Sequence, residues 1–475
     1  MKRGRAVVVG AGPNGLSAAL TLALEGWSVE LVEGEETIGG GSRSAELTLP
    51  GFLHDVCSGV YPLSIGSPFL TRLPLAEHGL RWVHPPVPLA HPFDDGTAAV
   101  LAMGFEETGE SLGREDGRSW RRLLEPFSRH WFALASDILG PFPILPRHPF
   151  LLARFGLTGM RSATSVVGRF QEFRARALFG GVAGHSFVPL DRIPTASFGM
   201  VLAASGHAVG WPQADGGAQR IPDALASMLR QAGGTIVTGQ RVKSLDELSE
   251  AELYLLDMTP AQLLRLGGVR WPESYRRRLA RYRYGPGVFK VDWALSGPIP
   301  WRAESCRRAG TVHLGGTFEE IAASEDAAWN GRESEKPFVL LGQPSLIDSS
   351  RAPEGKHTAW AYCHVPHGSR TDKTAAIEAQ VERFAPGFRD CILARATKDA
   401  AAMEAYDANY IGGDINGGIA DWRQLLFRPV VRWNPYSTPD PAIFLCSSST
   451  PPGGGVHGMG GAHAARTAAR RLGRR

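Results

Sequence analysis

The chain has 475 residues, of which 43% are hydrophobic and 21% are charged, so wholesale disorder, coiled coil and collagen are excluded. Its formal net charge of +4 is small for this length and does not indicate a nucleic-acid partner. At roughly 150 residues per domain, the length predicts two or three structural units with a substantial core.

The cysteines and the apolar runs indicate in which cellular compartment the protein is expected. Five cysteines are scattered along the chain without a C-x-x-C pair, which does not indicate zinc, an iron–sulfur cluster or a dithiol redox site and favours a reduced, cytoplasmic location. The apolar run from Ala6 to Val9 is too short for a signal peptide. The longest charge-free stretches, 193–214 and 441–465, are crowded with Gly, Ser and Pro, so we expect no transmembrane helix.

The N-terminal segment has the pattern of strand, glycine-rich turn, helix and strand. Arg5 to Val9 predicts the first strand and Leu16 to Leu24 the helix. A second predicted strand, Val29 to Val32, is followed directly by the acidic residue Glu33. In such a βαβ unit the glycines and the helix N-terminus receive a pyrophosphate, and the acid accepts a hydrogen bond from a ribose hydroxyl, which disfavours NADP. The candidate binding residues are Gly10, Gly12, Pro13, Asn14, Gly15 and Glu33.

A second glycine-rich turn follows the acid. It combines flexible backbone with a cation that could reach the pyrophosphate or stabilise a flavin edge. An ordinary surface loop is the alternative interpretation. The candidate residues are Gly40, Gly41, Ser42 and Arg43.

Residues 120 to 180 are rich in aromatic and aliphatic side chains and contain a proline-rich stretch. Pro141, Pro143, Pro146 and Pro149 forbid a long helix there. One interpretation is the mouth of an apolar tunnel that touches a membrane. The alternative is a proline-rich crossing between core helices.

The C-terminal segment contains a further glycine-rich loop. Ala442 to Ser447 predicts a strand, and the loop 453–461 opens a predicted helix from Ala462 to Leu472. Only seventeen residues follow the motif, too few for a second strand and its acid. A helix N-terminus attracts negative charge, and reduced flavin is an anion, so this loop would stabilise the reduced form. The candidate residues are Gly455, Val456, His457, Gly458 and Met459.

Three segments together resemble the phytoene dehydrogenase-like FAD oxidoreductases: the N-terminal fingerprint, 338–368 and 445–460. Within them the chain is most similar to the branch named after pyridine nucleotide–disulfide oxidoreductase domain 2, in the clan of amine oxidases and carotenoid desaturases. The resemblance implies an α/β protein of the glutathione-reductase type, in which a Rossmann FAD-binding domain is interleaved with an α+β substrate or cap domain, and noncovalent FAD. The expected boundaries are 1–70, 205–265 and 400–475 for the FAD-binding domain, and 71–204 and 266–399 for the substrate-binding domain.

The resemblance also implies roles for single residues. Gly233 to Val242 is similar to the segment whose backbone pairs with the adenine edge, with Val242 as the contact. Residues 285–293 are similar to the amine-oxidase strand whose lysine approaches the flavin, so Lys290 would position water or activate oxygen during flavin reoxidation. Strand alternation places Lys290 on one face with Asp292, and a paired surface lysine is the alternative.

Two further side chains complete the candidate catalytic set of Lys290, Asp414 and His457. Asp414 lies among four glycines in 410–418, which in this family would approach the isoalloxazine ring. A plain glycine-rich turn is the alternative. His457 lies inside the C-terminal loop and would hydrogen-bond flavin or substrate.

The sequence therefore predicts an FAD-dependent dehydrogenase or desaturase. The flavin would accept a hydride from a C–H bond of an apolar, isoprenoid-like substrate. A flavin amine oxidase and a non-catalytic FAD-bound binding or assembly protein are the alternatives. Oxygen or a quinone is the expected electron acceptor, no metal is expected, and the location is cytoplasmic, either free or at a membrane surface. The oligomeric state is left open.

Overall fold

The computed structural model describes residues 3–141 and 145–472. Within these residues the strands are β1 (Arg5–Val9), β2 (Ser28–Val32), β3 (Ser44–Glu46), β4 (Leu53–Asp55), β5 (Trp82–Val83), β6 (Val87–Pro92), β7 (Ala98–Leu101), β8 (Gln213–Ala214), β9 (Thr235–Val237), β10 (Leu253–Leu256), β11 (Gly287–Leu295), β12 (Ala309–Leu314), β13 (Val339–Gly342), β14 (His357–Val365), β15 (Ile392–Lys398) and β16 (Ile443–Leu445).

The helices are α1 (Pro13–Leu24), α2 (Pro62–Ile65), α3 (Phe105–Leu112), α4 (Arg114–Ser128), α5 (Trp131–Ile138), α6 (Pro149–Gly159), α7 (Ala163–Val167), α8 (Phe173–Gly184), α9 (Thr195–Val209), α10 (Arg220–Gln231), α11 (Pro260–Leu263), α12 (Glu273–Leu279), α13 (Glu304–Arg308), α14 (Phe318–Trp329), α15 (Thr374–Phe384), α16 (Ala400–Tyr406), α17 (Trp422–Phe427) and α18 (Met459–Leu472). None of these described helices is both long and apolar enough to cross a bilayer.

A five-stranded parallel sheet in the order β16-β10-β1-β2-β9 carries the N-terminal motif. Its central strand β1 is a continuous apolar run, as expected for a parallel strand covered on both faces. Helices α1, α10 and α18 pack beside it. This Rossmann-like sheet and the mixed sheet described next confirm the predicted α/β fold class, while the domain boundaries stay a prediction.

The second large sheet has seven strands in the order β15-β11-β14-β13-β12-β6-β7. Its pairs are antiparallel except for β12 with β6. All nine residues of β11 are buried. Val291 and Trp293 pack into an apolar core on one face, so alternation leaves Lys290 and Asp292 on the other face. The predicted strand alternation at Lys290 is therefore present.

The proline-rich stretch separates α5 from α6, in agreement with the expectation of no long helix, although Pro143 lies outside the described residues. Asp137 holds the end of this stretch. Its Oδ1 accepts a hydrogen bond from Arg147 N and its Oδ2 one from His148 N, both at 2.9 Å. Pro149 is the first residue of α6. A backbone N–H at this position has no partner within the helix, so its absence in proline is not destabilising.

A buried ion network ties distant parts of the chain together. The Arg351 guanidinium contacts Asp55 at 3.0 Å and Asp348 at 2.8 Å, and the three side chains are at most 3% exposed. The same carboxylates accept hydrogen bonds from Gly216 N and Ala218 N, each at 2.8 Å. The network thus joins β4, the turn at 349–351 and the loop that leads into α10.

Candidate functional site

Two neighbouring cavities share part of their walls. The first has a volume of about 330 Å³ and is lined largely by glycine-rich and polar turns; we call it the dinucleotide cavity. The second has a volume of about 650 Å³ and mostly apolar walls; we call it the apolar cavity. The residues that line both are Val60, His185, Asn416, Gly455 and Val456.

The dinucleotide cavity lies at the carboxyl ends of the parallel strands. Gly10 follows β1, Glu33 follows β2, Asp257 follows β10 and Ser447 lies just beyond β16, and all of them line it. Crevices at this edge of an open parallel sheet are where such folds bind ligands. The topology therefore supplies the site that the N-terminal motif predicts.

The glycine-rich turn presents a helix N-terminus to this cavity. Helix α1 begins at Pro13, three residues earlier than predicted, because Pro is well suited to the first helical position. Gly12 precedes it and makes no side-chain cap, whereas Asp257 Oδ2 accepts a hydrogen bond from Gly15 N in the first turn, so Asn14 N is the N–H of that turn left for an anion. A side chain on Gly15 would overlap the carbonyl oxygen of Gly10, so only glycine fits there.

Glu33 is the acid at the end of β2 and is buried at the cavity wall. Its Oε2 accepts a hydrogen bond from Ala11 N at 2.6 Å, and its Oε1 accepts one from Glu35 N at 3.0 Å. Arg43 Nη2 lies 3.5 Å from Glu33 Oε1. The carboxylate therefore organises the glycine-rich turn as well as facing the cavity.

Most of the other predicted cofactor residues also line this cavity. Pro13, Asn14 and Val242 lie on its wall. So do four residues of the second turn and two of the C-terminal loop, namely Gly40, Gly41, Ser42, Arg43, Gly455 and Val456. Gly15, Gly458 and Met459 are not among the lining residues described, and a side chain on Gly458 would overlap Ser17 of α1. These three residues therefore act in helix packing and helix starts.

Two partly buried carboxyl groups at the cavity wall were not among the predicted cofactor residues. Asp257 Oδ2 accepts a hydrogen bond from Gly15 N at 2.9 Å. Burial, with smaller contributions from Asp407 and Glu33, raises the pKa of Asp257 to about 8. Burial also raises the pKa of Asp407 to about 6. Asp257 could have been found by its place after a core strand, which matches that of Glu33.

Polar atoms without partners indicate that the cavity fits a cofactor. Asn14 Oδ1 and Trp360 Nε1 are buried and have no hydrogen-bond partner among the described residues, and both side chains line the cavity. The rings of Trp360 and Tyr362 lie nearly parallel, with an interplanar angle of 16°. A dinucleotide with a flat aromatic ring supplies both hydrogen-bonding groups and a stacking surface, so these residues fit FAD.

The three candidate catalytic residues occupy different positions. Lys290 is buried and forms an ion pair with Asp292. The alternative interpretation, a paired surface lysine, is therefore right about the pair and wrong about the surface. Lys290 lies opposite Tyr362 in the sheet and is not among the residues described as lining either cavity. Asp414 is also buried outside both linings, and its carboxylate accepts hydrogen bonds from Gly285 N and Asn416 N. Asp414 thus fixes a turn whose Asn416 reaches both cavities.

His457 lines the apolar cavity and not the described wall of the dinucleotide cavity. Its Nδ1 accepts a hydrogen bond from Met459 N at 3.1 Å, and its Nε2 has no partner within the described part of the chain. Burial lowers the pKa of His457 to about 4, so the ring is neutral near pH 7. Helix α18 begins at Met459, three residues before the predicted start, because this hydrogen bond caps its first turn.

Sequence reasoning missed His185, which lies directly after α8 and lines both cavities. No local motif surrounds it. Its position at the junction depends on the packing of α8 against strands that come from other parts of the chain. Only the three-dimensional structure could identify it.

Comparisons with known proteins agree with this geometry. The family model of an NAD(P)-binding Rossmann-like domain matches residues 8–69. The chain is 26% identical to pyridine nucleotide-disulfide oxidoreductase domain-containing protein 2 of Mus musculus, over 98% of this chain and 93% of the mouse protein. It is 26% identical to the phytoene dehydrogenase of Streptomyces griseus, over 82% of this chain and 77% of that protein.

Solved structures share the fold over almost the whole chain. An oxidoreductase from Methanosarcina mazei has a TM-score of 0.68 at 15% identity and covers 98% of this chain and 100% of that chain. A putrescine oxidase bound to putrescine has a TM-score of 0.62 at 18% identity and covers 98% of each chain. Together with the sequence relatives, these matches confirm the resemblance to the phytoene dehydrogenase-like oxidoreductases and the predicted enzyme class.

Proposed function

We propose that this chain, an oxidoreductase related to the phytoene dehydrogenases and the amine oxidases, binds FAD noncovalently and dehydrogenates an apolar substrate. The observation that carries the proposal is the shared wall of the two cavities. An apolar space of about 650 Å³ opens directly onto the end of the dinucleotide cavity. This volume is within the usual range for small-molecule sites of roughly 300–1,000 Å³.

The residues of the dinucleotide cavity would hold FAD by its phosphates and its sugar. The N-terminus of α1, with Asn14 N, would bind the pyrophosphate, and Glu33 would accept a hydrogen bond from the ribose. When bound, the flavin supplies hydride-accepting chemistry. The chain's own residues orient the two partners, exclude water and exchange protons.

The state of Cys57 supports noncovalent binding. It is the one cysteine that lines the dinucleotide cavity within the described residues. Burial raises the pKa of Cys57 to about 11, so it is a thiol and not the nucleophilic thiolate near pH 7. A covalent link through this side chain is therefore disfavoured.

The walls of the apolar cavity favour a hydrocarbon over an amine. Leu139, Leu152, Phe155, Phe198 and Val201 are among its lining residues. Asp137 is the only carboxylate in the described lining, and backbone N–H groups already occupy it. A cationic amine would find no free counter-charge there, whereas an isoprenoid-like chain would gain about 25 cal/mol for each Å² of apolar surface that it buries.

The electron acceptor that completes turnover would be oxygen or a quinone. Reoxidation of the reduced protein after mixing with air or with a soluble quinone distinguishes the two. A Lys290→Met variant would slow reoxidation by oxygen if this lysine activates oxygen, and it would leave the rate of flavin reduction unchanged. Equal reoxidation by oxygen in both proteins would remove Lys290 from that role.

Filling the apolar cavity tests the proposal. Leu202 lines the cavity, so Leu202→Trp should slow anaerobic flavin reduction by an apolar substrate at least tenfold while FAD remains bound. Leu157 is 75% exposed on α6, and Leu157→Trp serves as the matched control with an unchanged rate. Release of the cofactor by heat and its identification as FAD by chromatography complete the test. A purified protein that cannot take up FAD, or equal reduction rates in both variants, would contradict the proposal.

A further inference from the structure

His185 is the one titratable side chain among the residues that line both cavities. It follows the last residue of α8 and is partly exposed, into the space where cofactor and substrate would meet. Val60, Asn416, Gly455 and Val456, the other residues of the shared wall, cannot exchange protons near pH 7. Among the five residues of the shared wall, His185 is therefore the one that can accept a proton from a substrate.

A row of histidines lies behind His185. Its Nε2 lies 3.2 Å from Nε2 of His313 on β12. His313 Nδ1 and His91 Nδ1 have no hydrogen-bond partner among the described residues. These two nitrogens lie 2.9 and 3.4 Å from the point that a side chain on Gly181 would occupy, so both face the space left by the missing Cβ. His91 Nε2 ends the row 2.8 Å from the carbonyl oxygen of Gly316.

The carbonyl group at the end of the row fixes the proton of His91. A carbonyl oxygen only accepts, so His91 Nε2 carries a proton and His91 Nδ1 carries a lone pair. No hydrogen bond joins His91 Nδ1 to His313 Nδ1 among the described residues, so this order does not pass to His313. Of the two Nε2 atoms of His185 and His313, one donates and the other accepts. Where His185 donates, its Nδ1 keeps a free lone pair. This tautomer is the one that a general base requires.

The surroundings keep the row neutral. Burial, with a smaller contribution from His364, lowers the pKa of His185 to about 3. His364 on β14 is itself bound to Glu325 of α14, with 2.6 Å between Nδ1 and Oε2. Burial also lowers the pKa of His91 to about 4. The uncharged rings of Trp211, Phe338 and Phe93 also pack against the row. Of the charged groups near His91, Glu320 raises its pKa and Arg383 lowers it, both by less than burial does.

The backbone beside His185 is strained. Phe187 has φ of 57° and is the only non-glycine residue with positive φ in the described part of the chain. Its ring packs against that of His364, with 3.8 Å between centroids. Such conformations persist where the surrounding structure enforces them, and they cluster at active sites. Here the strain fixes the turn that carries His185.

We propose that His185 Nε2 donates a hydrogen bond to His313 Nε2, and that His185 Nδ1 is the base that removes the proton from the substrate, with His313 as the positioning residue. The inference rests on the proposed function. In that reaction two C–H bonds on neighbouring carbons break and one C=C bond forms. One hydrogen leaves as hydride, with its electron pair, to the flavin oxidant, and the other leaves as a proton to His185 Nδ1.

Three glutamine variants test the assignment by two readouts. Each protein is first titrated with FAD, which all should bind. Anaerobic flavin reduction by an isoprenoid hydrocarbon should then fall at least a hundredfold in His185→Gln, within the usual contribution of a general base. His313→Gln should lower the rate less and change its pH profile. His207→Gln is the control, because His207 is buried against Trp120 and lines neither described cavity wall.

The second readout does not require the cofactor. Nitrogen NMR of ¹⁵N-histidine-labelled apoprotein at pH 7 should show His185 protonated on Nε2 and unprotonated on Nδ1, and His313→Gln should disturb this pattern. A proton on His185 Nδ1 would overturn the inference, as would normal reduction in His185→Gln. A wild-type protein that binds FAD but is reduced by no apolar substrate would instead overturn the proposed function, and the base assignment with it.

Discussion

At the scale of single residues, partly buried carboxyl groups control how the dinucleotide cavity meets a negatively charged cofactor. Asp257 contacts the glycine-rich turn that would hold the pyrophosphate. With its pKa raised from 3.8 to about 8, Asp257 is mostly protonated near pH 7 and adds little repulsion. Because the folded state holds this proton more tightly than the unfolded state, its contribution to stability is lost as the pH rises from about 4 to about 8.

The affinity for FAD should depend on the protonation state of Asp257. Between pH 7 and pH 9 Asp257 becomes an anion, and the affinity of the apoprotein should fall by about tenfold. Asp257→Asn keeps an acceptor for Gly15 N and should remove this fall. Fluorescence titration of FAD at each pH measures it, with Asp191→Asn on the surface as the control. An equal fall in wild type and Asp257→Asn would contradict the role of Asp257.

The residues also differ in how far the sequence revealed them. Glu33 and the N-terminal glycines follow from local spacing, because one turn and two strands position them. Val242 lies at the cavity wall, and its contact with the adenine edge stays a prediction from the resemblance. The burial of Lys290 could not be predicted, because alternation gives the face of a strand but not what covers it. His185 has partners far away in the chain, so no local pattern could mark it.

At the scale of elements, two helix N-termini converge on the site. Helix α18 crosses α1 so closely that a side chain on Gly461 would overlap the carbonyl oxygen of Asn14. Close approach of the two helices brings the C-terminal loop against the N-terminal motif. The sequence predicted both helices but not this crossing, which depends on the strand order of the sheet.

Gly461→Ala should therefore separate the helices. Overpacking of this kind costs about 1–3 kcal/mol of stability, and we expect FAD affinity to fall at least tenfold. Gly297→Ala is the control, because nothing lies within 4 Å of the added methyl group. Urea unfolding and FAD titration of both variants measure the two effects. Unchanged FAD affinity in Gly461→Ala would show that the helix crossing does not shape the site.

The Arg351 network is the second test at this scale. Arg351→Met leaves Asp55 and Asp348 buried without their cation, which should lower the free energy of unfolding by about 3–5 kcal/mol. Arg332 pairs with Asp326 at the surface, so Arg332→Met should change it by less than about 1 kcal/mol. Urea denaturation compares the two. Similar losses in both variants would contradict a structural role for the network.

At the scale of the whole molecule, exposed apolar side chains lie on or after helices that contribute to the wall of the apolar cavity. Helix α6 turns Leu152 and Gly156 toward the cavity and leaves Phe150 91% exposed. Trp433, after α17, is 88% exposed. Exposed apolar patches of this kind mark membrane or partner contacts, and an apolar substrate dissolves in a bilayer.

Binding to lipid vesicles tests the predicted membrane contact. Flotation with neutral phospholipid vesicles should recover wild-type protein, and Phe150→Asp combined with Trp433→Asp should reduce the recovery at least fivefold. Leu24 is 59% exposed at the end of α1, and Leu24→Asp serves as the control. Equal recovery of all three proteins, or recovery of none, would contradict a membrane contact at this surface.

An apolar substrate should meet FAD at the shared wall of the two cavities. Anaerobic bleaching of the flavin in the purified protein tests this, measured in parallel with an isoprenoid hydrocarbon and with an amine of matched chain length. We expect the hydrocarbon to bleach the flavin and the amine to leave it unchanged. Bleaching by the amine alone would contradict this expectation.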